Sequence, residues 1–305
     1  MTRRLAAAAL LLLCCGCPAF HAGAFPDDRP GRSFATVDGV ELRYTDRGQG
    51  PAVVLLHGYG SSLDEWDPVV PALETRHRVV ALDLKGFGRS GRPEGDYSPA
   101  AQAALVFGLL DRLEIDRVAV VAHSWGSSVA LAMALAAPER VTRLALYDAW
   151  VYEEQLPPFL LWSRASGMGE FLFAGWYAER VGDKMALAFY DPTLLTQELV
   201  DAIEEALERP GTTAAALAAA RGQRFEEQED RYRTIDRPVL LLWGREDNVS
   251  RLEIGERLAS ELPNAELVVY PRCGHFPMVE ALAASTRDLV EFLAADLPPA
   301  PEGAP

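Results

Sequence analysis

The chain has 305 residues, of which 49% are hydrophobic and 24% are charged, so it is long enough to bury a large core. Its formal net charge is −15, which argues against the basic surface that nucleic-acid binding requires. Three of the four cysteines lie within the first seventeen residues, and a single cysteine in the remaining chain excludes an internal disulfide there.

Residues 1–24 have the composition of a signal peptide. Two arginines precede the apolar run Leu5–Leu13, which is too short to span a bilayer. The sequence Ala22-Gly23-Ala24 predicts cleavage before Phe25 and release of a periplasmic or secreted protein. Alternatively, Gly16-Cys17 resembles a lipobox, and acylation of Cys17 would anchor the protein to a membrane. We therefore expect export, with the soluble and the lipid-anchored forms both open.

Short apolar segments alternate with helical patterns over residues 25–149 and again over residues 236–297. The predicted strands are Ser33–Val37, Val40–Asp46, Val53–His57, Arg78–Leu82, Val118–Ala122, Arg143–Tyr147, Leu240–Trp243 and Glu266–Tyr270. The first two flank Asp38-Gly39, which is typical of a hairpin, whereas the later ones read as buried parallel strands. This alternation predicts an α/β fold with a mostly parallel, doubly wound sheet and an antiparallel first hairpin.

Residues 150–235 interrupt the alternation and predict a helical cap inserted between the two parts of the core. The segment has helical patterns at Leu194–Leu207 and Thr212–Phe225 and no convincing strand. Aromatic residues crowd its first half and predict an apolar roof over a substrate site, although such rings also pack cap helices on a core. They are Trp150, Tyr152, Phe159, Trp162, Phe171, Phe173, Trp176, Tyr177, Phe189 and Tyr190. The proline-rich tail, residues 298–305, is predicted to be disordered.

Ser124 is the strongest candidate for a nucleophile. It lies at the tip of a turn between the apolar strand Val118–Ala122 and an alanine-rich helix, Ser127 to Ala137. The pattern matches the G-x-S-x-G nucleophile elbow of acyl-transfer enzymes, except that Ala122 replaces the first glycine. The small residues Ala122 and Gly126 would let the strand and the helix approach each other.

A serine hydroxyl becomes a good nucleophile only when a neighbouring base takes its proton. Of the five histidines, His275 is the best candidate, because it lies on a glycine-containing loop after the last predicted strand. His123 directly precedes Ser124, and strand alternation predicts that its side chain turns away from the side of Ser124.

The base in turn needs a carboxylate that orients its ring. Asp247 follows the strand Leu240–Trp243 and the Gly244 turn, and we favour it for this role. Asp148 ends an earlier strand and is the main alternative, and Glu246 is a weaker one. The oxyanion needs backbone donors, and the N–H groups of Tyr59 and Trp125 are placed for this purpose by the two turns that follow their strands.

From about Thr36 to Leu293 the chain resembles the α/β-hydrolase superfamily, in its capped, esterase-like branch. The resemblance is carried by His57-Gly58-Tyr59-Gly60, by Asp83 to Ser90, by the Ser124 elbow, by Gly244-x-x-Asp247 and by Gly274-His275. It implies Ser124 as nucleophile, Asp247 as acid, His275 as base, and Tyr59 and Trp125 as oxyanion donors. Serine at the elbow argues against the epoxide-opening and halide-displacing relatives, which carry aspartate there.

No cofactor or metal is expected. Gly86 to Gly91 matches G-x-G-x-x-G, but the helix that a dinucleotide site requires does not begin at these glycines. No cysteine or histidine spacing suits a metal ion. The prediction is an exported serine hydrolase that cleaves a small, largely apolar ester through an acyl-enzyme. The same residues would serve an amide, a lactone or the carbon–carbon bond of a diketone, and a non-catalytic ligand-binding protein on this fold is the rival.

Overall fold

A computed structural model of the protein describes residues 32–177 and 181–295. Its strands are β1 (Ser33–Val37), β2 (Val40–Arg47), β3 (Ala52–Leu56), β4 (Arg78–Leu82), β5 (Val118–His123), β6 (Val141–Tyr147), β7 (Val239–Gly244) and β8 (Ala265–Tyr270). They form one eight-stranded sheet in the order β1-β2-β4-β3-β5-β6-β7-β8. β2 pairs antiparallel with β1 and β4, and every other neighbouring pair is parallel. The predicted fold class is therefore confirmed.

The α-helices of the described residues surround the sheet, and two of them, α1 and α10, have only four residues. The full set is α1 (Val70–Leu73), α2 (Pro99–Arg112), α3 (Trp125–Ala136), α4 (Pro158–Ser163), α5 (Met168–Trp176), α6 (Val181–Ala188), α7 (Gln197–Glu208), α8 (Thr212–Gly222), α9 (Leu252–Glu261), α10 (Pro277–Glu280) and α11 (Leu282–Ala294). Within the ranges described, no helix has the length and apolarity needed to cross a membrane.

The sheet is covered on both faces because its central strands are apolar at every position. In β3, Val54 and Leu56 join a buried cluster with residues of α2, α3 and α9, whereas Val53 and Leu55 join a second cluster with residues of α1 and α11. Alternating side chains of one strand thus enter two separate cores, which is the arrangement of a doubly wound sheet.

Five helices, α4 to α8, lie between β6 and β7. Residues of α5 and α8, among them Phe173, Ala216 and Ala220, are buried in the same cluster as one face of the sheet. Parallel strands end at the same edge of a sheet, so the turns after β3, β5, β7 and β8 meet beneath this helical segment. The predicted signal peptide, the acylation site at Cys17 and the predicted tail lie outside the described residues.

Candidate active site

Ser124 occupies a strained turn between β5 and α3. Its φ is +50° and its ψ is −123°, a conformation that residues other than glycine adopt only when the surrounding structure holds them there. The backbone N–H of Ser124 donates to the carbonyl of Tyr147 at 2.9 Å, and its own carbonyl accepts from the N–H of Trp150 at 3.0 Å. A Cβ at Gly126 would lie 2.5 Å from the carbonyl oxygen of His57, which explains why glycine follows the serine by two positions.

The structure brings His275 and Asp247 together. Nδ1 of His275 donates to Oδ2 of Asp247 at 2.7 Å, and both side chains are buried. The other carboxylate oxygen, Oδ1, accepts from the N–H groups of Val249 and Ser250 at 2.7 and 3.1 Å. Because Asp247 is held on both oxygens, the neutral ring of His275 keeps its hydrogen on Nδ1 and leaves Nε2 free to accept a proton.

Ser124 and His275 line the same cavity. Among the described residues, no hydrogen bond joins the hydroxyl of Ser124 to Nε2 of His275. Such contacts between a nucleophile and its base are often long before substrate binds and shorten in the complex. Both side chains are therefore accessible to a molecule bound in the cavity.

The two alternative acids accept hydrogen bonds from backbone N–H groups. Oδ1 of Asp148 accepts from the N–H of Gly244 at 2.9 Å. Complete burial, reinforced by the charge of Asp247, raises the pKa of Asp148 well above its ordinary value. Oε2 of Glu246 accepts from the N–H of Cys273 at 3.1 Å. Of the three candidates, Asp247 is the one whose carboxylate contacts the ring of His275.

The loop that carries His275 is fixed by close backbone contacts. A Cβ at Gly244 would collide with the carbonyl of Gly274, so glycine at the end of β7 lets the two loops touch. The N–H of His275 donates to the carbonyl of Ala188, at the end of α6, at 2.8 Å. The base is thus positioned by both the core and the helical segment above it.

Two backbone N–H groups next to Ser124 are unpaired within the described part of the chain. Trp125 is the first residue of α3, so its N–H points out of the helix N-terminus, where the helix dipole favours negative charge. The N–H of Tyr59 lies on the turn after β3. Its phenol donates to the carbonyl of Ala216 at 2.6 Å, and its ring packs edge-on against Trp125 at 6.0 Å. Both residues, which were predicted to supply the oxyanion donors, line the cavity that contains Ser124.

A cavity of about 510 Å³ lies above Ser124 and His275. Its walls are mainly apolar, and α6 and α7 supply a large part of them: Val181, Met185, Ala188, Ile203 and Leu207. Of the aromatic residues that the sequence proposed as a roof, Trp150 and Tyr177 line it. Phe159 stacks on Phe173 in the core instead, and the side chain of Trp176 lies outside the described residues.

The prediction that His123 turns away from Ser124 was wrong. His123 lines the same cavity, its ring lies 4.8 Å from that of His275, and its Nε2 donates to the backbone carbonyl of His275 at 2.8 Å. The positive φ of Ser124 breaks the alternation of β5 at this point, so strand geometry does not apply across the turn. Glu65, which also lines the cavity, was missed because the sequence around it carries no motif.

Comparison with known proteins identifies the family and similar chains. Residues 53–287 match the profile of the Alpha/beta hydrolase family. A 2-hydroxy-6-oxo-2,4-heptadienoate hydrolase of Pseudomonas putida is 34% identical over 270 residues, which cover 85% of this chain and 94% of the relative.

Two solved structures are also similar. A meta-cleavage product hydrolase from Pseudomonas fluorescens has a TM-score of 0.75 and 29% identity, and the match covers 86% of this chain and 97% of that one. A thermophilic esterase from Thermogutta terrifontis has a TM-score of 0.74 and 26% identity, with the same coverage of both chains.

Proposed function

The chain belongs to the alpha/beta hydrolase family, and we propose that it is a serine hydrolase with Ser124 as nucleophile, His275 as base and Asp247 as the acid that orients the base. The hydrogen bond between His275 and Asp247, beside a cavity that also contains Ser124, is the observation that carries this proposal. The helical segment over residues 150–235 is proposed as the cap that closes the cavity.

In the proposed mechanism, Nε2 of His275 takes the proton of the Ser124 hydroxyl while the oxygen attacks a carbonyl carbon of the substrate. The resulting oxyanion accepts hydrogen bonds from the N–H groups of Tyr59 and Trp125. His275 then gives the proton to the leaving group, and the bond to that group breaks. Water, deprotonated by His275, hydrolyses the acyl-enzyme and restores the Ser124 hydroxyl.

For the bond that is cleaved, we propose a carbon–carbon bond next to a ketone carbonyl. The Pseudomonas putida relative, at 34% identity, is a hydrolase of a 2-hydroxy-6-oxo-dienoate, and the meta-cleavage product hydrolase shares the fold over almost its full length. A carbon leaving group carries away the electron pair of the broken bond, so it must delocalise that pair into a conjugated system. The 2-hydroxy-dienoate must first become its 2-oxo tautomer by transfer of the hydroxyl proton to C5, because the electron pair of the broken C5–C6 bond then delocalises through the C3–C4 double bond to the C2 carbonyl. His275 can supply the proton that the resulting dienolate oxygen takes up.

Hydrolysis of a small, largely apolar ester, as the sequence suggested, is the second candidate. The cavity is lined mainly by aliphatic and aromatic side chains, which suits an uncharged acyl group, and the thermophilic esterase is structurally similar. The same triad serves both reactions, because only the leaving group differs.

A direct comparison of substrates separates the two candidates. We expect the purified protein to consume 2-hydroxy-6-oxohepta-2,4-dienoate with a higher kcat/KM than nitrophenyl acetate or nitrophenyl butyrate. Loss of the visible absorbance of the dienoate measures this reaction. The Ser124→Ala variant is the control for uncatalysed decay. If the esters are turned over rapidly and the dienoate is not consumed, the ester reaction is established instead. If no substrate is turned over and a fluorophosphonate probe does not label the protein, a non-catalytic binding protein is favoured.

We also propose that the protein is exported, because the apolar run Leu5–Leu13 follows two arginines. Mass spectrometry of the N-terminus from the native host is expected to show either a free Phe25 amine or a diacylglyceryl group on Cys17. The Cys17→Ala variant should lose the lipid if it is present. A mature protein that keeps Met1 and stays in the cytoplasm would refute export.

A further inference from the structure

Glu65 and His123 lie in the wall of the cavity, and the mechanism above uses neither side chain. Glu65 belongs to the short 3₁₀ helix Leu63–Trp66, and His123 ends β5 directly before Ser124. Their side chains are only 6% and 3% exposed, and both line the cavity that contains Ser124. Two buried polar groups at this position require a physical explanation.

Each member of the pair contacts a different part of the catalytic machinery. Oε1 of Glu65 accepts from the N–H of Gly58 at 3.2 Å, and Gly58 begins the turn that carries the Tyr59 amide. Nε2 of His123 donates to the backbone carbonyl of His275 at 2.8 Å. Glu65 and His123 approach each other at 3.4 Å, so together they connect the oxyanion turn to the loop of the base.

The hydrogen bond to His275 determines where the hydrogen of a neutral His123 ring lies. A carbonyl oxygen can only accept, so the hydrogen must be on Nε2, which leaves a lone pair on Nδ1. Nδ1 lies 3.4 Å from Oε1 of Glu65. Within the described residues, Nδ1 of His123 and Oε2 of Glu65 have no hydrogen-bond partner. Two buried acceptors that face each other are destabilising unless a hydrogen lies between them.

We propose that Glu65 and His123 share one proton and that this protonated pair is a positioning device, which holds the Tyr59 amide and the His275 ring at the separation that catalysis needs. The proposal rests on the proposed function, because it assigns the pair to the same serine hydrolase site. When the pair loses its proton at higher pH, the two acceptors repel each other and the connection loosens.

Several other charged or titratable groups face this pair. The ring of His275 packs against His123, with Asp247 bonded behind it. Asp64 and Lys184 line the same cavity. Since His275 must be neutral to act as a base, its protonation lowers activity on the acid side, whereas loss of the shared proton lowers activity on the alkaline side. The two ionisations are therefore distinguishable in a pH profile.

Two substitutions of nearly equal size test the proposal. In Glu65→Gln, an amide oxygen at the position of Oε1 still accepts from Gly58, and the negative charge that holds a proton on Nδ1 of His123 is removed. We expect its kcat to exceed that of Glu65→Met and its alkaline limb to move to lower pH. In Glu65→Met, both hydrogen bonds are lost, and kcat should fall about tenfold to hundredfold because the reacting groups are displaced, while KM changes by only a few-fold. Glu139→Gln, at an exposed position between α3 and β6, controls for loss of a charge.

Nitrogen NMR of the histidine rings gives a readout that is independent of substrate. Near neutral pH, both ring nitrogens of His123 should be protonated in the unmodified protein, and Nδ1 should be unprotonated in Glu65→Gln. The proposal is overturned if kcat is unchanged in Glu65→Met. It is also overturned if Glu65→Gln has the same alkaline limb and the same ring protonation as the unmodified protein. If no substrate is turned over, the proposed function fails, and the ring protonation still decides whether the pair shares a proton.

Discussion

Replacing Ser124 with alanine is expected to lower kcat by roughly 10⁴-fold or more, with the fold and substrate binding intact. The substitution removes only the hydroxyl, and the backbone bonds that hold the turn, from Ser124 to Tyr147 and Trp150, remain. The turnover rate at saturating substrate measures the loss of kcat. Circular dichroism tests whether the fold is intact, and a substrate-binding titration tests whether binding is unchanged.

Ser127→Ala is the matched control for this substitution. Ser127 lies on the first turn of α3, and its buried hydroxyl has no hydrogen-bond partner among the described residues, so its removal should leave kcat unchanged. A fluorophosphonate probe should label the unmodified protein on Ser124 and leave the Ser124→Ala variant unlabelled. Unchanged turnover in Ser124→Ala, or a probe adduct on another residue, would contradict the assignment of the nucleophile.

Much of the fold could be predicted from the sequence, because buried parallel strands give continuous apolar runs that are easy to recognise. All eight predicted strands are present, and their ends differ from the observed ones by no more than two residues. The helix after Ser124 was predicted to begin at Ser127 and begins at Trp125. The start of this helix depends on the positive φ of Ser124, which lets the helix begin directly after the serine.

The candidate catalytic residues could be proposed from the sequence because each is linked to a local motif at the end of a strand. The sequence favoured Asp247 over Asp148 and left both open, since both follow apolar strands that end at the same edge of the sheet. The structure separates them by hydrogen bonding: the ring of His275 donates to Asp247, whereas Asp148 accepts from Gly244.

The walls of the cavity were the least predictable part of the site. Glu65 and His123 meet only because the 3₁₀ helix after β3 folds back over the end of β5, and that contact depends on tertiary packing. The aromatic residues of the cap illustrate the same limit. Trp162 and Phe171 are 62% and 64% exposed, although their sequence context resembles that of Tyr177, which lines the cavity.

Asp247→Asn is expected to lower kcat by about 10⁴-fold, whereas Asp148→Asn should change it by only a few-fold. An amide at position 247 cannot stabilise the imidazolium of His275, and it can turn the ring into the wrong tautomer. An amide at position 148 preserves the acceptor for Gly244, and asparagine tolerates the φ of +43° found there. Comparison of kcat for the two variants tests the assignment, and the reverse ranking would make Asp148 the catalytic acid.

The stability of the Asp148→Asn variant should depend on pH in a defined direction. Burial raises the pKa of Asp148 in the folded state, so the folded protein binds a proton that the unfolded chain releases as the pH rises above the ordinary carboxyl range. The unmodified protein therefore loses stability over this range, while the variant, which has no proton to lose there, does not. We would measure the thermal unfolding midpoint of both proteins in mildly acidic and in mildly alkaline buffer. The midpoint of Asp148→Asn should rise relative to that of the unmodified protein as the pH increases. If the difference between the midpoints of the variant and the unmodified protein stays constant with pH, Asp148 is ionised in the folded protein, beside the charge of Asp247.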